Sequence, residues 1–224
     1  MAVNNNSTNS RNYDAVASHY EFMANIYSNG KIKASKLVQV AHFHPGDRIL
    51  YAGVGSGEDA IEAAKKNTHI TCVDLSSKML ENAKKYFANN NLDNGEFICA
   101  DIMEHDRPGY YDVVTANYFL NIFPEPVMKQ VLEHLSSLLK KGGKLLIADF
   151  AAPQGNILYS SFQWFYHALA NSSYWIQGLA PLHCVYDYPK YITDSDLKLV
   201  DVTYIRLFKH GPIAYQSILS QKSS

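Results

Sequence analysis

The chain has 224 residues, 47% hydrophobic and 18% charged, enough for one globular domain with a sizeable core. Twenty Lys and Arg against 21 Asp and Glu leave a net charge of -1, which excludes the overall positive field that drives nucleic-acid binding. No run of about 18 apolar residues occurs, and the Asn-rich segment before Tyr13 has no apolar stretch to serve as a signal peptide. These features imply a cytoplasmic protein without stable membrane insertion; a homodimer is compatible with them. Of three cysteines, Cys72 and Cys99 sit in apolar strand-like runs, where cysteine is usually a small buried hydrophobe, so neither a disulfide framework nor a metal site is expected.

Residues 1–12 read as a disordered tail, because they lack the apolar content that offsets ordering entropy. From Tyr13 to Val40, apolar residues at three- and four-residue steps suggest two amphipathic helices broken near Ser28-Asn29-Gly30. Arg48 to Ala52 reads as a strand running into Gly53-Val54-Gly55-Ser56-Gly57 and then a helix over Glu58 to Lys66. The alternation continues with strand His69–Val73, helix Ser76–Ala88, strand Glu96–Cys99, strand Tyr111–Thr115, helix Glu125–Leu139 and strand Lys144–Phe150. Lys140-Lys141-Gly142-Gly143 reads as the stop of the helix before that last strand, with cations at the negative end of its dipole. Such alternation predicts a doubly wound α/β sheet, Rossmann-like, seven-stranded and mostly parallel. The aromatic-rich segment 153–193 interrupts it, with helical spacing over Ile157 to Leu169. Leu197–Leu207 and Gly211–Leu219 then read as strands joined by a link too short for a parallel crossover, so the sheet should end in an antiparallel hairpin.

In a doubly wound sheet, ligands bind at the carboxyl ends of the strands, and glycines after the first strand let the backbone approach them. Gly53, Gly55 and Gly57 supply that loop, Asp74 ends the second strand, and Asp101 follows the third. An acid about 20 residues past the loop can accept both ribose hydroxyls, which points to a nucleoside site with Asp101 facing the adenine. Read singly, the glycines are also compatible with a plain tight turn and the acids with helix caps. A dinucleotide site for an NAD-dependent oxidoreductase is the weaker alternative, since Glu58 stands where its fingerprint wants a small residue.

The chain resembles the class I S-adenosylmethionine-dependent methyltransferases through Ile49-Leu50-Tyr51-Ala52-Gly53-Val54-Gly55-Ser56-Gly57, Val73-Asp74-Leu75-Ser76-Ser77-Lys78-Met79-Leu80, Ala100-Asp101, Tyr111-Asp112-Val113-Val114 and Leu139-Lys140-Lys141-Gly142-Gly143-Lys144-Leu145. The resemblance implies S-adenosylmethionine as cofactor, with the three glycines under its methionine part and Asp74 on the ribose. It further implies that Leu75 and Met79 line the adenosine, Asp101 and Ile102 flank the adenine, and Asn117 lies beside the sulfonium. Tyr13-Asp14 and Tyr20 resemble the N-terminal lid of quinone-ring methyltransferases and their small-molecule relatives. Two departures stand out: Tyr51 replaces the usual acid of the first motif, and Asn121-Ile122 lies where the quinone-ring enzymes carry Arg-Asn.

Methyl transfer is an in-line displacement that depends on positioning and water exclusion, so a dedicated base is optional. The candidates are Tyr20, Asn121 and His167, with His19, Asp149 and His183 beside them; a structural histidine is the competing reading for each imidazole. The aromatic segment is expected either to pack on the sheet or to line a pocket for an apolar or aromatic small molecule.

Overall fold

A computed structural model describes residues 27–55, 57–155, 157–176 and 184–223, with side chains omitted over 169–176. Its sheet is built from β1 (Arg48–Ala52), β2 (His69–Asp74), β3 (Gly95–Cys99), β4 (Tyr111–Thr115), β5 (Leu139–Phe150), β6 (Leu197–Arg206) and β7 (Ile213–Lys222). The order is β3-β2-β1-β4-β5-β7-β6. The first five strands are mutually parallel, and β7 runs antiparallel to both β5 and β6. This is the seven-stranded sheet with a terminal antiparallel hairpin that the alternation implied.

Among the described residues six helices surround it: α1 (Lys31–Leu37), continued by a 3-10 turn over Val38–His42, α2 (Glu58–Ala64), α3 (Ser77–Asn89), α4 (Glu125–Leu138), α5 (Ile157–Ile176) and α6 (Tyr188–Thr193). Period-two alternation sends Ile49 and Tyr51 to one face of the sheet and Leu50 and Ala52 to the other. Both faces are covered. Ile49, Tyr51, Ile70 and Cys72 pack with Ala60, Ile61 and Ala64 of α2 and Leu80 and Phe87 of α3. Leu50, Val114, Leu145 and Ile147 pack with Met128, Val131, Leu132 and Leu135 of α4 and with Tyr188 and Ile192 of α6.

Three local expectations need correction. Helix α4 stops at Leu138, not at the glycine pair, because Gly109 and Tyr110 donate backbone hydrogen bonds to the carbonyls of Ser137 and Leu138 and pull Leu139 into extended pairing with Tyr111. Residues 140–143 then form a bulge within β5, where Gly142 takes φ 72° and Lys140 Nζ donates to Asp112 Oδ1 at 2.6 Å rather than capping a helix. Helix α5 extends to Ile176. Cys99, unlike the buried Cys72, is exposed, because β3 is an edge strand.

The turn from β2 into α3 is held by a short relay of side-chain caps. Asp74 Oδ1 accepts from Ser76 N at 2.9 Å, and Ser76 Oγ accepts from Met79 N at 3.1 Å, satisfying an amide that the first helical turn leaves free. Replacing Ser76 by Ala should cost about 1 kcal/mol of stability, read as a lower urea midpoint at unchanged slope. An unaltered midpoint would show that the cap contributes nothing.

Candidate active site

Parallel strands deliver their carboxyl ends to one edge of the sheet, and the order reverses between β1 and β4, which leaves a crevice there. Along that edge stand Asp101 after β3, Asp74 at the end of β2, the glycine loop after β1, Asn117 and Asn121 after β4, and Asp149 near the end of β5. Gly53, Gly55 and Gly57 all have positive φ, at 66°, 58° and 79°. The three serve different ends. A Cβ at Gly53 would fall 2.2 Å from the Phe119 ring, and one at Gly57 would fall 2.8 Å from Ala83 Cβ, so both are demanded by packing. At Gly55 a Cβ would meet nothing within 4 Å, so this glycine borders the open space of the crevice.

Asp74 closes the loop onto β2: its Oδ2 accepts from Gly55 N at 2.9 Å. Asp101 Oδ1 accepts from Met103 N at 3.0 Å and caps a 3-10 turn. Each acid therefore makes a capping contact of its own. Met79 and Ile102 are buried beside these acids, while Leu75 is partly exposed.

The buried Asn117 side chain spends all four of its hydrogen-bonding positions. Its Oδ1 accepts from Gln39 Nε2 at 2.8 Å and from Ala148 N at 3.0 Å; its Nδ2 donates to Gln39 Oε1 at 3.0 Å and to Asp59 Oδ2 at 2.8 Å. Lys36 Nζ reaches Asp59 Oδ1 at 3.3 Å. Tyr51, in the place of the usual acid, is buried and its hydroxyl donates to the Asp59 carbonyl at 3.4 Å. Gln39 and Asp59 carry no motif signature, and only the fold reveals them. The residue after Asn117, Tyr118, takes φ 53°, a strained conformation for a bulky side chain, and its hydroxyl lies 2.8 Å from Ser35 Oγ.

At the β5 end, the buried Asp149 accepts from Tyr188 Oη at 2.7 Å, from Asn121 Nδ2 at 2.8 Å and from Phe150 N at 2.8 Å. Burial raises its pKa to about 7, with these three donors opposing the shift. The aromatic segment divides between core and surface: Tyr166 stacks on Tyr27 at 4.5 Å and its hydroxyl lies 2.6 Å from that of Tyr215, while Trp164 and Phe165 point outward. His167 is buried edge-on to Phe150 at 5.1 Å; among the described residues no side chain pairs with either ring nitrogen, and burial lowers its pKa to about 4, opposed by the Ala151 backbone. Tyr13, Tyr20, His19 and His183 lie outside the described residues. A separate cleft, lined by Arg48, His69, Glu96 and Tyr110, opens at the amino ends of the strands, away from all of these groups.

Two measurements test this geometry. Asn117→Leu leaves Ala148 N, Gln39 and Asp59 without their partners and should cost on the order of 2 to 4 kcal/mol; equilibrium denaturation showing less than the cost of an ordinary surface change would contradict the network. For Asp149 the folded pKa lies above the unfolded value of about 4, so the folded state binds more protons between about pH 4 and 7 and stability falls as pH rises through that window. Asp149→Asn should remove this slope, a difference on the order of 2 to 4 kcal/mol between the window's ends. Parallel stability curves for the two proteins would refute the assignment.

Comparison with known proteins bears on the family and the fold. Residues 49–143 match the family model described as a methyltransferase domain. The chain is 28% identical over 165 residues to a demethylmenaquinone methyltransferase of Clavibacter sepedonicus, covering 71% of this chain and 65% of that one. It is 30% identical over 151 residues to that of Thermotoga maritima, covering 64% and 62%. The chain thus spans somewhat less than two thirds of these relatives' length. In fold it matches the 1,6-didemethyltoxoflavin-N1-methyltransferase of Burkholderia thailandensis, with TM-score 0.64 and 16% identity, over 94% of this chain and 89% of that one. The chain therefore has the class I methyltransferase fold, is similar to the quinone methyltransferases, and matches the methyltransferase-domain model over residues 49–143.

Proposed function

We propose that the protein transfers a methyl group from S-adenosylmethionine to a small apolar or aromatic acceptor in the cytoplasm. The observation that carries this reading is the loop at Gly55, whose amide is pinned by Asp74 while the space where a side chain would stand is open. That cradle fits the cofactor: the glycine backbone would lie under its methionine part, Asp74 would accept the ribose hydroxyls, Leu75 and Met79 would wall the adenosine, and Asp101 and Ile102 would flank the adenine. Asn117, with its amide fully used, would act by fixing the loop and the segment 38–42 against each other. When bound, S-adenosylmethionine supplies an electrophilic sulfonium methyl.

The acceptor bonds to that methyl as the sulfur–carbon bond breaks, and an acceptor such as a phenol gives up one proton. That proton leaves to solvent, because burial lowers the pKa of His167 to about 4 and makes its neutral imidazole a weak base; the ring would instead accept a hydrogen bond from the acceptor and orient it. Asn121 and Tyr188 hold Asp149 beside the same strand end, in a position to orient the acceptor rather than the cofactor. Tyr13 and Tyr20 complete the site as a lid that excludes water. The identity of the quinone methyltransferases and of the heteroaromatic toxoflavin enzyme supports an apolar ring as acceptor.

Release of S-adenosylhomocysteine, followed over a panel of quinols, phenols, amines and thiols, tests this reading. Turnover is expected on at least one ring compound. Asp74→Ala should weaken S-adenosylhomocysteine binding at least tenfold by calorimetry, and His167→Ala should lower kcat while leaving that binding unchanged. Cofactor binding without turnover on any small acceptor would favour a non-catalytic binding protein, consistent with Tyr51 in the first motif. Preferential NAD binding, or turnover only on tRNA or protein, would overturn the proposal.

A further inference from the structure

Asp149 is 1% exposed, and its three partners, Tyr188 Oη, Asn121 Nδ2 and Phe150 N, are all uncharged donors. Among the described residues no ion pair reaches it, and between Lys144 and Lys190 the sequence contains no Lys or Arg. The titratable groups packed around it are Tyr186 beside Tyr188, Tyr118 and Tyr215 against Phe150, and His167 of α5; Asn117 and Gln216 flank it from β4 and β7. Asp187 and Lys190, on either side of Tyr188, are exposed, and Glu125 at the start of α4 pairs with Lys129 at 2.7 Å on the surface. Donors lower the cost of charging a buried carboxylate but do not neutralise it, and a low-dielectric interior carries its field further than water would.

The segment 117–121 carries that field toward the crevice. Asn117 Oδ1 accepts from Ala148 N, one residue before Asp149; the Phe119 ring packs on Gly53; and Asn121 donates to Asp149 itself. The carboxylate therefore stands one layer of side chains behind the glycine loop, close enough to act on a charge in the crevice without touching it.

We propose that the Asp149 carboxylate makes the crevice prefer a cation, and so separates S-adenosylmethionine, which carries a sulfonium, from S-adenosylhomocysteine, which does not. The inference rests on the reading of S-adenosylmethionine as the methyl donor. A sulfonium has no N–H or O–H to donate, so fixed negative charge is a principal means of recognising it. The acceptor takes the methyl as the sulfur–carbon bond breaks with its electron pair left on sulfur, and the positive charge departs with the acceptor or with the proton it gives up. The attraction ends there, which favours release of the neutral product. Because burial puts the pKa of Asp149 at about 7, the preference grows as pH rises through that value. Reciprocally, the sulfonium favours the charged carboxylate, so binding of S-adenosylmethionine near neutral pH releases a proton that binding of S-adenosylhomocysteine does not. His167, with its pKa lowered to about 4, stays neutral throughout.

Titration calorimetry of the full chain with the two ligands, from about pH 5.5 to about pH 8.5 and in buffers of different ionisation enthalpy, tests it. The ratio of the S-adenosylhomocysteine Kd to the S-adenosylmethionine Kd is expected to rise at least about fivefold across this range, the low end of ordinary coupling. In Asp149→Asn the ratio should stay near its acid value; ionisations of the ligands and of remote groups are common to both proteins and cancel. Tyr188→Phe removes one donor to the carboxylate, so the rise should move to higher pH, a shift that a merely structural Asp149 would not produce. Proton release on binding S-adenosylmethionine is read on the native protein and needs no variant. Binding of both ligands with a ratio independent of pH, an unchanged pH dependence in Asp149→Asn, or equal proton release with the two ligands would each overturn the inference and leave the donor reading intact. Binding of neither ligand would overturn both.

Discussion

The candidate site depends on one side chain placed where four elements meet. Asn117 emerges from β4, binds the carboxyl end of β5 through Ala148 N, holds α2 through Asp59, and holds the 3-10 turn after α1 through Gln39. In a low-dielectric interior, each of these hydrogen bonds is stronger than in water, and each group left unpaired is correspondingly costly. The network ties β4 and β5 to α2, the helix that follows the glycine loop. Lys36 and Lys33 reinforce it from α1 by pairing with Asp59 and Glu58 at the first turn of α2.

The glycine loop shows how structural and functional demands share a few residues. At Gly53 and Gly57 a side chain would collide with Phe119 and Ala83, whereas at Gly55 the φ of 58° favours glycine and the space beside it is open. Asp74 restrains the loop from below and begins the relay through Ser76 into α3. The same carboxylate that would recognise a nucleoside thus maintains the shape of the cradle in its absence. Tyr118, held at positive φ beside Asn117, stores strain at the adjoining strand end, where it meets Phe150 and Tyr215 edge-on.

On the acceptor side, the chain buries polar groups in an aromatic setting. Asp149 is satisfied by three donors, and its elevated pKa follows from burial that those donors only partly offset. Among the described residues His167 has no side-chain partner, and only the Ala151 backbone opposes the burial that lowers its pKa. Helix α5 turns Gln163 and His167 to the interior and leaves Trp164 and Phe165 exposed.

The sequence by itself determined the sheet, the glycine loop and the acids at the strand ends, because period-two and helical spacing, glycine clusters and post-strand Asp residues are local signals. It placed Gly53, Gly55, Gly57, Asp74 and Asp101 on one edge without any knowledge of packing. Only the tertiary structure decided the partners of Asn117, since Gln39 and Asp59 lie 78 and 58 residues away from it and have no motif. The end of α4 was misread for a similar reason: the amides of Gly109 and Tyr110, a distant segment, capture its last carbonyls before the glycine pair is reached. The two faces of α5 were also undecided in sequence, because an uncharged aromatic helix has no polar stripe strong enough to declare which side meets the core. Long-range pairing supplies that choice, and a local pattern cannot encode it.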